Sequence, residues 1–376
     1  MITNSPTPYR IPLFNRLREQ LLGQGLRLKV VFAVLGYSRR KWAINMSDCN
    51  FEYIELSSSV LGSKDRQNLT FTYPGLYKLL GEEQPSAVIT NEFSIATIKL
   101  WLYSIFRKLP YIIWSGAIAG EHHGISILRK IQRRLLIRRA AGYVAYGSCA
   151  RDNLVTLGAD SRRIHIAINT VDTDYFREAS RCWNVAAGNE VPRFVFVGHL
   201  ESGKRLDLLL NAARELKEKG DIFVIDIVGD GPDRKRLENL AGDLNLGETI
   251  EFKGFRQKDD IARYMGRAAC FVFPSEYDVW GLVLVEAMAC GLPCISSYKS
   301  GATRDLIVEG KTGFSVDFSD ISSVVERMHQ IVVDPDLAAS MGAAAAEYIE
   351  NNCTLEISAH GFTDALVKCI SIENDA

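Results

Sequence analysis

Two carboxylates separated by seven residues, Asp278 and Glu286, are the side chains whose types and spacing first suggest chemistry. Asp278 follows residues 270–273, whose apolar pattern predicts a buried strand, and the carboxyl ends of such strands form the ligand-binding edge of open α/β sheets. Glu286 lies in an apolar helical stretch, where a carboxylate is costly unless hydrogen-bond donors reach it. No basic residue lies within one helical turn of Glu286. Hydroxyls of a sugar or a ribose are suitable donors, so the pair predicts a polyol ligand.

The helix that contains Glu286 is predicted to begin near Gly281 and to end at Gly291. Free amides at the start of a helix attract phosphate groups, so Gly281 and Leu282 are candidate phosphate contacts. The alternative is an ordinary strand–helix–strand unit in which protein groups satisfy Glu286. The stretch thus combines candidate contacts for hydroxyls and for a phosphate.

A second group of polar residues follows the predicted strand 193–197. It consists of Gly198, His199, Lys204 and Arg205. A loop at this position belongs to the ligand-binding edge of a doubly wound sheet, and its cations could neutralise a diphosphate. The alternative is a set of solvated charges at a helix start. The glycine-rich turn at Gly229 is a weak phosphate signal and is more often only a tight turn.

The composition excludes several classes of protein. A chain of 376 residues with 47% hydrophobic residues can form two domains. The net charge of −1 argues against a general nucleic-acid binder. The eight cysteines are scattered without a Cys-x-x-Cys pair, which favours reduced thiols in a cytoplasmic protein. We find neither a signal peptide nor an apolar run of roughly 18 residues, the length a membrane span needs.

Short apolar runs alternate with helical patterns along the chain, which predicts parallel sheets covered by helices. The predicted strands are residues 28–34, 51–56, 87–90, 111–114, 142–146, 164–168, 193–197, 223–228, 250–253 and 270–273. The predicted helices are residues 12–22, 94–107, 125–141, 150–157, 206–219, 234–244, 259–267, 335–351 and 355–370. The first few residues leave room only for a stub of a first strand, or else the chain starts late.

The spacing from Asp278 to Glu286, followed by Ala-Met-Ala-Cys-Gly-Leu-Pro, resembles the signature of the family 4 glycosyltransferases. The resemblance covers residues 195–316 strongly and the first half of the chain loosely. It implies an α/β fold of two facing Rossmann-like domains (GT-B) with a deep interdomain cleft. It also implies retaining transfer from a nucleotide sugar, without a metal ion or another cofactor.

The same resemblance implies a division of the chain. Residues 1–176 are expected to form an acceptor-binding domain and residues 177–191 a linker. Residues 192–352 are expected to form the domain that binds the nucleotide-sugar donor. The last segment, 353–376, is expected to return to the first domain as a helix.

Residue roles on the donor side follow by resemblance. Lys204 matches a phosphate-binding lysine, whereas His199 stands where the family usually has an arginine. Glu286 resembles the ribose-binding glutamate, and Asp278 replaces a more usual glutamate that contacts the sugar. Glu276 is a less favoured alternative acid. The expected catalytic residues are Lys204, Asp278 and Glu286, and the other expected donor contacts are Gly198, His199, Arg205, Gly229, Gly254, Phe255, Gly281 and Leu282.

Candidates on the acceptor side are fewer. Tyr9 and Arg10, at a helix start, are expected to point toward the cleft, and Glu92 ends the strand 87–90. His122 and His123 lie in a loop and are otherwise ordinary exposed residues.

Residues 127–139 form a predicted helix that combines six basic residues with apolar ones. Such a helix suggests contact with an anionic membrane surface or a lipid-diphosphate acceptor. The alternative is a solvated face of a globular protein. We therefore expect a cytoplasmic protein, peripheral on the inner face of the cytoplasmic membrane.

Together these patterns predict a retaining glycosyltransferase. It would move a hexose-type sugar from a UDP- or GDP-sugar to a hydroxyl of a glycan or a lipid-linked acceptor. One alternative is a nucleotide-sugar epimerase on the same fold, which would need an acid and a base to activate water. The other is a non-catalytic nucleotide-sugar-binding protein, suggested by the departures at His199 and Asp278.

Overall fold

The computed structural model describes residues 1–36, 44–61, 69–119, 127–181 and 191–374. The chain divides into two compact units. The first comprises Met1–Val171 together with Leu355–Ala376, and the second comprises Asp172–Thr354. His122, His123 and most of the predicted linker lie outside the described residues.

The first unit is built on a parallel sheet of seven strands in the order β3-β2-β1-β6-β7-β8-β9. The short strands β4 and β5 pair separately as an antiparallel ladder. The strands are β1 Ile2–Thr3, β2 Lys29–Phe32, β3 Glu52–Glu55, β4 Val60–Leu61, β5 Thr70–Phe71, β6 Val88–Asn91, β7 Tyr111–Ser115, β8 Gly142–Ala145 and β9 Ile164–Ile166. The helices are α1 Arg10–Gly23, α2 Leu76–Glu83, α3 Ile95–Arg107, α4 Ile127–Arg139, α5 Ser148–Thr156 and, at the end of the chain, α14 Leu355–Asn374.

The second unit has a parallel sheet of six strands in the order β12-β11-β10-β13-β14-β15. Its strands are β10 Arg193–Val197, β11 Val224–Val228, β12 Ile250–Gly254, β13 Cys270–Phe273, β14 Cys294–Ser297 and β15 Gly313–Val316. Its helices are α6 Thr173–Arg181, α7 Leu206–Glu218, α8 Arg234–Asp243, α9 Lys258–Gly266, α10 Leu282–Ala289, α11 Thr303–Leu306, α12 Ile321–Val333 and α13 Pro335–Asn352. The two parallel sheets confirm the predicted α/β class.

Each sheet has one point where the strand order reverses direction. In the first sheet it lies between β1 and β6, and in the second between β10 and β13. Loops that leave the carboxyl ends of strands on either side of such a point diverge and open a crevice for a ligand. The loops after β1, β6, β10 and β13 are therefore the places where the topology favours a site.

The first strand is the predicted stub, yet it is central. Ile2 and Thr3 pair with β2, and Ile2 also pairs with β6. Two residues suffice because Ile2 and Thr3 are almost completely buried between longer strands. The strand is too short for a periodicity to reveal it.

The boundary between the units differs from the predicted one. It falls after Val171, and helix α6 covers residues that were assigned to the first domain and to the start of the linker. Asp172 accepts a hydrogen bond from the Tyr175 amide at 3.1 Å, which starts the helix. Phe176 is buried on its inner face. Of the predicted linker, residues 177–181 belong to this helix, where Glu178 and Arg181 are exposed.

The last helix, α14, belongs to the first unit. Phe362 packs edge-on against Trp114 of β7, with ring centroids 5.0 Å apart. Gly361 lies so close to β9 that a Cβ atom would stand 2.2 Å from the Ile166 carbonyl oxygen. Across the described residues, we find no helix with the length and apolar character that crossing a membrane requires.

Candidate functional site

Three glycines bring the ends of neighbouring strands together in the second unit. The Gly198 amide donates to the Val228 carbonyl at 3.0 Å, and the Gly229 amide donates to the Gly254 carbonyl at 2.9 Å. Gly229 has a φ of +149°, and a Cβ there would lie 1.8 Å from the Gly198 carbonyl oxygen. A side chain would therefore separate the two loops. Gly229 serves close packing of the loops, in line with the tight turn expected from its sequence.

Lys204 and Asp278 meet across the reversal point of the second sheet. The Lys204 ammonium lies 2.6 Å from an Asp278 carboxylate oxygen, and both side chains are mostly buried. Lys204 also lies 5.4 Å from the centre of the Phe273 ring. The Glu276 amide donates to the Gly203 carbonyl at 2.9 Å, which ties the two loops together. Two residues predicted separately as a phosphate ligand and a sugar ligand are thus direct neighbours.

Arg205 is engaged elsewhere, with Asp207 and Glu276. Lys299 and Arg205 both hydrogen bond to Glu276 and lower the pKa of its carboxyl below the ordinary value. Glu276 is therefore held by two cations, Arg205 and Lys299. His199 is exposed, and its backbone carbonyl accepts a hydrogen bond from the Glu201 amide at 3.0 Å.

Gly281 immediately precedes helix α10, which has no side-chain cap at its start. Gly281 has a φ of +91°, and a Cβ there would lie 2.8 Å from the Phe273 ring and 3.2 Å from the Ser300 hydroxyl. Only glycine allows the chain to turn into the helix so close to β13. The first amides of α10 are thus presented beside the strand end that also supports Lys204.

Glu286 lies one turn into α10 and is half-buried. Burial raises the pKa of its carboxyl from 4.5 to about 7, although the Lys258 ammonium opposes this shift. Among the residues that the structure describes, none donates a hydrogen bond to this carboxylate. A carboxylate in this condition is well suited to accept hydroxyl donors from a ligand.

Lys258 is a neighbour of Glu286 that the sequence reasoning missed. Its ammonium stands 3.4 Å from the centre of the Tyr175 ring and 5.1 Å from that of Phe176. Burial lowers the pKa of Lys258, against the attraction of Asp172 and Glu286. The missed signal is a lysine at the first position of α9, where the positive end of the helix dipole disfavours a cation.

The remaining donor-side candidates are placed at the same edge. Gly254 ends β12 with a φ of +70°, and Phe255 follows it with 42% of its surface exposed. Leu282 is the half-buried first residue of α10. In the described parts of the chain, we find no group of three or more His, Cys, Asp or Glu residues placed to hold a metal ion.

In the first unit, Arg10 turns inward from the start of α1. Its guanidinium donates to the Thr3 hydroxyl at 2.8 Å and to the Tyr146 hydroxyl at 2.9 Å. It also lies 4.5 Å from the centre of the Trp114 ring. Tyr9 flanks this cation at 5.8 Å. Arg10 therefore ties together the strand ends at the carboxyl edge of the first sheet.

Glu92 has a similar connecting role. Its carboxylate accepts hydrogen bonds from the Ser115 hydroxyl at 2.8 Å and from the Gly116 amide at 2.6 Å. The backbone of Glu92 has a φ of +54°, which is uncommon for a side chain of this kind. Glu92 therefore fixes the loop after β7. A contact between Glu92 and an acceptor stays a prediction.

Helices α3 and α4 present apolar side chains to solvent. Phe106 is 81% exposed, Ile127 75% and Leu128 78%. Leu102, Ile105, Ile131 and Leu135 are also exposed. Arg139 joins the helices through hydrogen bonds to the Ser104 hydroxyl and carbonyl at 2.9 and 2.6 Å. We call the exposed residues of α3 and α4 the α3–α4 surface.

Residues 183–348 match the family model described as Glycosyl transferases group 1. A GDP-mannose-dependent alpha-(1-6)-phosphatidylinositol monomannoside mannosyltransferase from Mycolicibacterium smegmatis is 29% identical over 43% of this chain and 44% of its own length. A sulfoquinovosyl transferase from Arabidopsis thaliana is 30% identical over 57% of this chain and 42% of its own. The chain thus spans less than half the length of these two relatives.

Solved structures share the fold across nearly the whole chain. Anabaena HepE in complex with UDP has a TM-score of 0.74, with 16% identity over 97% of this chain and 98% of its own. Sucrose-phosphate synthase from Thermosynechococcus elongatus has a TM-score of 0.76, with 18% identity over 99% of both chains. These likenesses confirm the predicted architecture of two α/β units.

Proposed function

We propose that this chain transfers a sugar from a nucleoside-diphosphate donor, because residues 183–348 match the family model of the group 1 glycosyltransferases. The acceptor is a hydroxyl of a glycan or a lipid-linked saccharide, and the sugar is of the hexose type. The relative from Mycolicibacterium smegmatis is named for GDP-mannose and HepE was solved with UDP, which supports a UDP- or GDP-sugar.

The observation that carries this proposal is the contact between Lys204 and Asp278. It joins the loops after β10 and β13, on the two sides of the point where the sheet reverses. A cation for a diphosphate and an acid for a sugar hydroxyl stand together where the topology favours a ligand. Glu286, without a donor from the described protein residues, completes the set with an acceptor for ribose hydroxyls.

The proposed reaction uses these groups in separate roles. Lys204 and the first amides of α10 stabilise the negative charge that develops on the departing diphosphate. Glu286 orients the nucleoside through its ribose, and Asp278 orients the transferred sugar. When the donor enters, Lys204 exchanges part of its contact with Asp278 for contact with phosphate. Positioning of this kind provides much of a transferase's rate acceleration.

We further propose that the anomeric configuration of the donor is retained. The acceptor hydroxyl attacks the face of the sugar from which the diphosphate leaves, and a phosphate oxygen takes the hydroxyl proton. The new glycosidic bond forms as the bond to the diphosphate breaks. This path needs no protein nucleophile, and the proposed roles of Lys204, Asp278 and Glu286 include none.

The first experiment measures release of nucleoside diphosphate by the purified protein. UDP-, GDP- and ADP-sugars are supplied with and without detergent-solubilised membrane lipid. Release from one donor that increases with lipid supports a transferase and identifies the base and the sugar. NMR of the product then tests retention through its anomeric configuration. A donor that binds, but is converted to its epimer without release of diphosphate, would refute transfer.

Glu286→Gln separates catalysis from simple binding. The variant should reduce diphosphate release by about tenfold to a hundredfold, since a neutral amide accepts ribose hydroxyls less strongly. Glu218→Gln, which changes an exposed acid on α7, should retain full activity. Equal activity of both variants would contradict the proposed site.

We propose that the α3–α4 surface brings the protein to an anionic membrane. Neither helix contains an acidic residue, and exposed Arg134 and Arg138 lie beside exposed Ile131 and Leu135. Apolar side chains next to cations suit the interface of a bilayer with anionic headgroups. At the membrane surface the protein would encounter a lipid-linked acceptor.

Vesicle sedimentation tests this part of the proposal. The protein should bind vesicles that contain phosphatidylglycerol and should release them at high salt, which screens the charges. Arg134→Glu combined with Arg138→Glu should abolish binding. Lys235→Glu, on α8 of the second unit, should leave it intact. Undiminished binding by the double variant would exclude the α3–α4 surface.

A further inference from the structure

A charged groove lies in the second unit between helix α9 and the edge of the sheet. It has a volume of about 490 Å³, within the range of small-molecule sites. Strands β10, β11 and β12 form its floor, and α9 forms a wall. A helix that covers a parallel sheet usually meets it through apolar residues. The contact between α9 and this part of the sheet is instead lined by charged side chains, and their presence needs an explanation.

The floor of the groove is electrically balanced. Buried Asp226 of β11 pairs with Arg193 at 2.9 Å and with Lys253 at 3.3 Å. Glu251 pairs with the same two cations, at 3.0 Å from Arg193 and in direct contact with Lys253. Glu251 and Lys253 are two residues apart in β12, so their side chains lie on the same face of the strand, and both line the groove. These four side chains form a fixed network with no surplus charge.

The wall of the groove adds positive charge. Asp260, Arg263, Tyr264 and Arg267 recur at the spacing of one helical face. Arg256, in the loop after β12, completes the lining. The groove thus has five cations against three carboxylates, and the surplus comes entirely from arginines.

We propose that this groove binds a small molecule bearing a phosphate or diphosphate group. Arginine guanidinium groups match two oxygens of a phosphate at once, and the net positive charge balances a dianion. Tyr264 offers a ring face to the remainder of the ligand. The groove does not include Lys204, Asp278 or Glu286, so the inference stands apart from the proposed transfer reaction.

Titration calorimetry with inorganic pyrophosphate tests the groove. Lys204→Met is used as the background, because it weakens binding of pyrophosphate at the donor site. This protein should still bind pyrophosphate in the millimolar range or tighter. Arg263→Ala combined with Arg267→Ala in that background should weaken binding by about tenfold or more. Absence of heat from the Lys204→Met protein at millimolar pyrophosphate would overturn the inference.

Two further variants keep the test independent of folding. Arg214→Ala with Arg236→Ala removes two arginines of the same unit outside the groove and should not change binding. Asp260→Asn removes a repelling carboxylate and should tighten binding, an effect that partial unfolding cannot imitate. Unchanged affinity in both Asp260→Asn and the Arg263 and Arg267 double variant would show that the groove is only a solvated ion-pair network.

Discussion

Glu286 is a carboxylate in apolar surroundings, and both its need for hydrogen-bond donors and its raised pKa follow from that position. The sequence alone indicates that this carboxylate needs donors, because no cation lies within a turn. The structure adds the reason for its unusual titration, which is burial opposed by Lys258. The pKa of about 7 places its charge change near neutral pH.

We expect the stability of the protein to fall as pH rises from about 4.5 to about 7 through Glu286. The folded state binds this proton more tightly than the unfolded state, so the stabilisation is full at low pH and is lost above the folded pKa. Glu286→Gln mimics the protonated form at every pH. Urea unfolding should find the variant more stable than the wild type at about pH 8, by up to about 3 kcal/mol.

The two proteins should have nearly equal stability at about pH 4, below the unfolded pKa of 4.5, where the carboxyl is largely protonated in both the folded and the unfolded state. A constant difference between them at all pH values would show that the substitution acts through packing instead. Nucleotide affinity of the wild type should rise as Glu286 ionises, and that of the variant should not depend on this titration.

Lys204→Met should lower the transfer rate by roughly a hundredfold to a thousandfold, the usual effect of removing one charge-stabilising group. It should also lower stability, because Asp278 loses its partner at 2.6 Å. Lys204→Arg should recover part of the rate because it retains the charge. Lys235→Met is the control on the same unit, and its rate should equal that of the wild type. Equal rates for Lys204→Met and Lys235→Met would refute the role of Lys204.

Sequence reasoning identified Lys204 and Asp278 because each follows a recognisable strand. It missed Lys258, because the contact of that residue with Tyr175 joins α9 to α6, two helices far apart in the chain. It also expected Arg10 to point toward the cleft, and the structure adds that its guanidinium donates hydrogen bonds to Thr3 and Tyr146. Spacing predicts which residues share an element, but pairings between elements depend on tertiary packing.

Most strands and helices of the second unit were predicted because apolar runs and helical patterns alternate there, but α6, α11, α12 and β15 were not. The elements that escaped are short or amphipathic with a polar outer face. Strand β1 has only two residues and could be expected only as a stub, and α6 was interpreted in part as linker because Phe176 is among its few buried residues. In both, neighbouring elements supply the stability that the local sequence does not indicate.

Gly281→Ala should disrupt the start of α10. The substitution forces a side chain into a left-handed conformation and against the Phe273 ring. We expect a loss of about 2–4 kcal/mol in unfolding free energy and weaker donor binding. Gly242→Ala, inside α8 with open space around it, should instead stabilise by about 0.5–1 kcal/mol. Denaturant unfolding of both variants, with nucleotide titration, gives the comparison.

If the Gly281→Ala variant had the same unfolding free energy and the same nucleotide affinity as the wild type, the close approach of Gly281 to β13 would not matter for the site. A loss of stability with unchanged nucleotide affinity would limit Gly281 to a role in packing.

The division into two units gives a prediction about truncation. Removal of Leu355–Ala376 uncovers Trp114 and the residues of β9 that face α14. The first unit should lose cooperative unfolding, while the second should keep its own transition. Differential scanning calorimetry, with limited proteolysis to identify the surviving fragment, checks this outcome. Loss of both transitions would show that the units do not fold separately.

Helix α14 also affects how the chain folds during synthesis. The ribosome produces the strands of the first unit early, but the helix that covers Trp114 comes after the entire second unit. Domains fold as units while the chain emerges. The second unit is a continuous stretch, Asp172–Thr354, and has all of its elements before α14 exists. The unit whose synthesis starts first is therefore the last to have all of its elements.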